Sequence, residues 1–120
     1  MFSVLLSLYV KEQPSYLIQS LDSLFSQILL PSEIILVKDG PLTEELDTIV
    51  SDYERRYPIL KVVALAQNQG LGRALNEGLK HCSYDLVARM DTDDIAKLNR
   101  FEKQVHIFNI ALDGNVDMVQ

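Results

Sequence analysis

Two kinds of segment take turns along this chain: short, continuous apolar runs of strand length, and longer stretches whose apolar residues recur at helical spacing. Phe2 to Tyr9 is the first run, nearly continuously apolar with β-branched and aromatic members, as expected of a central strand covered on both faces. After Pro14, residues Leu17, Leu21, Leu24, Phe25 and Ile28 predict an amphipathic helix that Pro31 closes. Ile34 to Val37 form a second strand, stopped by the turn residues Asp39, Gly40 and Pro41. Thr43 can cap the next helix, whose acidic first turn suits the helix dipole and whose Leu46, Ile49, Val50 and Tyr53 face inward. Leu60 to Leu65 follow as a third strand, then a polar loop from Gln67 to Gly70 and a helix carrying Leu71, Ala74, Leu75 and Leu79. Tyr84 to Met90 is a fourth strand that leads at once into Asp91 to Asp94. Leu98, Phe101, Val105, Phe108 and Leu112 mark one more helix, ended by Gly114. Val116 to Val119 reads as the start of a fifth strand, and stopping there suggests the N-terminal portion of a longer domain.

Such alternation implies right-handed crossovers and an α/β fold, a mostly parallel sheet with helices on both faces, over one domain spanning 1–120. In these sheets ligands bind beyond the carboxyl ends of the strands. Those ends carry Tyr9, Asp39, Asn68 and the Asp91 to Asp94 run, so four distant segments deliver polar groups to one edge. The balance of 11 basic against 17 acidic residues disfavours nucleic acid and anionic membranes as partners. A phosphate ligand would therefore need a metal or local help. The lone Cys82 excludes an internal disulfide framework, fits a reducing compartment and reads as core filler. No apolar run reaches membrane-spanning length, and the chain reads as cytoplasmic.

Asp91, Asp93 and Asp94, around Thr92, place three carboxylates within four residues, and their mutual repulsion favours a counter-cation. Hard oxygen ligands suit Mg2+ or Mn2+, which keep positions open for water and substrate phosphates. The alternative is a solvated acidic loop capping the following helix. Asp39 either accepts a hydrogen bond from the imide edge of a uracil or simply starts the turn before Gly40. Tyr9 either stacks on a base or packs at a strand end. Gly70 and Gly72 open the loop from Asn68 to backbone approach by a phosphate or ribose, although Asn-x-Gly is also ordinary turn chemistry. Arg73 either reaches a diphosphate or lies on the surface. His81 and His106 lack metal spacing and an adjacent nucleophile, and Lys38 and Arg89 read as strand-edge residues.

Taken together, these segments resemble the family 2 glycosyltransferases of the GT-A, Rossmann-like fold, along essentially the whole chain. Phe2 to Tyr9 looks like the family's opening strand, Glu33 to Gly40 like its second strand, Asn68 to Gly72 like its Asn-x-Gly loop. Ala88 to Asp94 looks like its Asp-x-Asp metal motif, and the closest flavour is the bacterial branch that builds exopolysaccharide, capsule or lipopolysaccharide. The resemblance implies that Ser7, Leu8, Tyr9 and Asp39 line the nucleoside, that Asp91 meets the ribose and that Asp93 ligates the metal. It also places Glu12 near the base and Arg73, with Asn68 and Thr92, in the nucleotide-contacting region. Ser7 stands where proline is common, Val10 where asparagine is common and Lys38 where many members have the first of two aspartates.

The expected function is metal-assisted transfer of a sugar from a nucleotide diphosphate sugar, with UDP as carrier, to a hydroxyl of a saccharide or lipid-linked saccharide. Inversion at the anomeric carbon follows from the resemblance alone, as does a general base beyond Gln120. The full-length protein would work in the cytoplasm, with peripheral attachment to the inner membrane face left open. Two other classes remain: a receiver-like signalling domain with an acidic magnesium site, and a noncatalytic nucleotide-binding module.

Overall fold

A computed structural model describes residues 1–27 and 29–90, together with the backbone of 117–119. The helix expected after Asp94, His106 and the acidic run itself lie outside the described residues, as does Ile28.

Strands β1 (Ser3–Leu8), β2 (Glu33–Lys38), β3 (Leu60–Ala64), β4 (Leu86–Arg89) and β5 (Asp117–Val119) form one sheet in the order β3-β2-β1-β4-β5. Every pairing in it is parallel. The first strand is central, as its two-sided apolar run requires, and the order reverses direction between β1 and β4. Helices α1 (Pro14–Phe25), α2 (Glu44–Arg56) and α3 (Leu71–Leu79) connect successive strands. No helix among the described residues is long and apolar enough to cross a membrane.

The strand period of two divides the core into two layers. Val4, Leu6 and Leu8 of β1, with Ile34 and Leu36 of β2, pack under Leu17, Leu21 and Leu24 of α1 and Leu46, Val50 and Tyr53 of α2. Leu5, Ile35, Val37 and Val87 cover the opposite layer against Ala74 and Leu75 of α3. Thr43 caps α2 as expected, its hydroxyl accepting the Leu46 amide at 3.2 Å. Cys82 is only half-buried against the α3 layer, which corrects its reading as core filler.

Candidate functional site

Above the carboxyl ends of β1, β2 and β3 opens a cleft of about 510 Å3, the size range of a small-molecule site. Ser7, Tyr9, Glu12, Asp39 and Asn68 all line it. Parity explains the membership. Ser7 shares the strand face of Ser3 and Leu5, and Asp39 falls on the same face as Ile35 and Val37. Both are thus delivered to the α3 side of the sheet, where the loop before α3 crosses.

The same parity corrects Leu8. Its side chain points to the α1 and α2 layer and is 0% exposed, so it cannot line a ligand. Only its backbone works at this edge, the carbonyl accepting the Asp39 amide at 2.8 Å. Arg73, read either as reaching a diphosphate or as lying on the surface, lines a separate surface cavity with Gln69, Asn76, Glu77 and Lys80. Lys38 points opposite to Asp39 and pairs with Asp47 of α2 at 2.9 Å.

Asp39 is 4% exposed, and its carboxylate spans two backbone amides of the Asn-x-Gly loop. Oδ1 accepts from Gln69 at 2.7 Å and Oδ2 from Gly70 at 3.1 Å. Its carbonyl accepts from Asn68 Nδ2 at 3.2 Å. An ionised carboxylate offers about four lone-pair sites, so capacity for a ligand donor remains. The turn reading and the ligand reading of Asp39 are therefore compatible. The loop amides at Gln69 and Gly70, by contrast, are already engaged and do not form a phosphate cradle.

Tyr9 is 46% exposed and sits where the chain leaves β1, in a turn closed by the Glu12 amide donating to the Tyr9 carbonyl at 3.1 Å. That turn brings Glu12 back beside the tyrosine. Lys11, Gln13, Tyr16, Gly70 and Leu71 complete the lining. Gly70 belongs to the loop already singled out, whereas Lys11, Gln13 and Tyr16 were not read as site residues from the residue pattern. Tyr16 carried a usable signal, since it lies on α1 outside the stripe of Leu17, Leu21 and Leu24. Leu71, which shares the apolar spacing of its helix with Ala74 and Leu75, is 48% exposed at the cleft.

Asp91, Thr92, Asp93 and Asp94 lie outside the described residues. Met90, immediately before them, is buried and donates its amide to the Leu5 carbonyl at 3.0 Å, holding the end of β4 against β1. No cluster of metal-ligating side chains occurs among the described residues.

Comparison with known sequences decides the family: the glycosyl transferase family 2 model matches residues 3–119. The chain belongs to glycosyltransferase family 2. The fold is accordingly GT-A, and a receiver-like domain is set aside. This family 2 chain is 51% identical over 105 residues to the amylovoran biosynthesis glycosyltransferase AmsE of Erwinia amylovora, covering 88% of the chain and 39% of that protein. It is 45% identical over 101 residues to the UDP-Gal:alpha-D-GlcNAc-diphosphoundecaprenol beta-1,3-galactosyltransferase of Escherichia coli, covering 84% and 36%. Among solved structures, S. aureus TarS 1-349 in complex with UDP superposes with a TM-score of 0.77 at 28% identity, covering 91% of this chain and 32% of that one. The chain thus spans well under half the length of these relatives.

Proposed function

We propose that this chain supplies the donor-binding half of a glycosyltransferase that moves a sugar from a UDP-sugar to a hydroxyl of a saccharide or lipid-linked saccharide. The observation that carries the reading is the convergence of Ser7, Tyr9, Glu12, Asp39 and Asn68 on one cleft at the strand ends. Its support from outside the chain is the UDP bound by TarS and the UDP-sugar named for the Escherichia coli relative. The diphosphoundecaprenol in that relative's name agrees with a cytoplasmic enzyme working peripherally at the inner membrane face.

In this reading the Tyr9 ring stacks on the base, an exposed aromatic being free to offer its face. Asp39 accepts the ring N–H of uracil through a lone pair left over from the loop amides. Glu12 and Asn68 bound the nucleoside from the α1 and α3 sides of the cleft. Asp93 and Asp91 would hold Mn2+ or Mg2+, since clustered carboxylates are the oxygen donors such ions take. A divalent ion there supplies positive charge to the departing diphosphate. The proposal assigns no general base among these residues, and inversion at the anomeric carbon rests on family resemblance.

Calorimetric titration of the full-length protein with UDP, with and without Mn2+, tests the reading. UDP is expected to bind with metal and to weaken by about tenfold or more without it or in Asp93→Ala. Equal affinity in all three conditions overturns the metal assignment, and no UDP binding in any overturns the donor site. Donor binding without sugar transfer would favour a noncatalytic module.

A further inference from the structure

Two side chains hold the loop between β3 and α3 to the sheet edge: Asn68 Nδ2 donates to the Asp39 carbonyl at 3.2 Å, and the Asp39 carboxylate, which lies in the cleft, accepts from the loop backbone. Asp39 Oδ1 and Oδ2 grip the Gln69 and Gly70 amides at 2.7 and 3.1 Å. Carboxylate acceptors form stronger hydrogen bonds than neutral ones, and burial at 4% exposure shields these from competing water. Beneath them, Gly40 adopts φ +89, and a Cβ there would stand 2.5 Å from the Asn68 backbone nitrogen. The loop therefore rests directly on the Asp39 to Gly40 turn, with no room for a side chain between.

We infer that Asp39 is a positioning residue that latches the Asn68 to Gly70 loop and so sets the shape of the cleft wall opposite Tyr9. The inference rests on the reading of the cleft as the donor site for its consequence, but not for the latch itself. It gives the carboxylate two tasks at once. Half of its lone pairs hold the wall, and the others face the ligand. Gripping both amides takes a short, doubly accepting side chain: asparagine offers one acceptor and presents its own N–H groups to the second amide.

Hydrogen exchange read residue by residue on the full-length protein, without nucleotide, tests the latch. Gln69 and Gly70 amides are expected to be protected in the wild type and to exchange about tenfold faster or more in Asp39→Asn, with the β1 and β2 amides unchanged. Unprotected Gln69 and Gly70 in the wild type overturn the latch, even if the variant does not fold. Gly40→Ala then separates positioning from contact, because it keeps the carboxylate and displaces the loop. UDP affinity about tenfold weaker in Gly40→Ala supports positioning, and affinity equal to wild type overturns it, leaving Asp39 as a contact alone. Wild-type protein that binds no UDP sinks the donor reading, while the exchange data still decide the latch.

Discussion

Strand β2 carries an acid at each end, Glu33 at its start and Asp39 just past its close, and both point to the same face of the sheet. Their surroundings differ. Glu33, 1% exposed, is saturated: it accepts from the Ser3 hydroxyl at 2.7 Å, the Lys61 ammonium at 3.1 Å, and both the amide and hydroxyl of Ser83. Asp39 accepts two amides and opens on a cleft. Equal burial and equal charge thus give opposite roles. A closed carboxylate ties strands together, whereas one with spare acceptor capacity at the carboxyl edge can also meet a ligand.

The largest expected effect comes from breaking the closed end. Glu33→Gln keeps the shape but turns donors toward Ser83 and Lys61, and is expected to cost about 2–3 kcal/mol in urea unfolding. UDP affinity of the folded variant should stay at the wild-type value. A loss of affinity together with stability would end the separation between the two carboxylates.

At the open end the sign reverses. Tyr9→Ala is expected to weaken UDP binding by about 1–2 kcal/mol in calorimetry, the range for one base stacked on a ring, with little change in the unfolding midpoint. Tyr9→Phe should retain the affinity. If Tyr9→Ala binds UDP as the wild type does, the tyrosine is only packing at a strand end.

How legible these ends were depends on what the residue pattern encodes. The α/β order, the central β1, the Thr43 cap and the cleft edge all followed from apolar periodicity and turn residues, because those arise from local physics. Leu8 failed for a reason that periodicity contains but a family likeness overrides: two residues after Leu6, it returns to the core layer. The roles of Glu33, Lys38 and Asp39 depend on partners in other elements, Ser83, Asp47 and Gln69 among them. No window of sequence reports such pairings. Apolar spacing alone does not report the exposure of Leu71, because a helix's first residue can satisfy that spacing and still overhang the end of the sheet.

A smaller effect separates the ends by pH. Burial pushes the Glu33 carboxyl up, but the Ser83 amide, the Ser3 hydroxyl, Lys61 and the Ser83 hydroxyl outweigh it and hold the group below the usual carboxylate range. A lowered folded value contributes stability that is present above the unfolded value, about 4.3, and is lost as pH falls through the folded one. The stability gap between wild type and Glu33→Gln should therefore be full at neutral pH and narrow steadily in acid. Urea midpoints measured down the acid range check this, and a gap that widens there contradicts it.

The least effect reaches a residue that neither end uses directly. Burial, followed by the negative charge of Glu33, raises the Cys82 thiol to about 11, against a weaker opposing hydrogen bond from Ser3. The thiolate is the nucleophile, so Cys82 should react with iodoacetamide far more slowly than a free thiol at pH 8, roughly in proportion to its thiolate fraction. Glu33→Gln removes one of the two raising causes and leaves burial, so its rate should rise modestly and remain below that of the unfolded chain. Because Asp39 sits at the far end of β2, Asp39→Asn should leave the rate unchanged. An equal rise in both variants would mean that Cys82 senses general loosening of the sheet rather than the charge of the closed carboxylate.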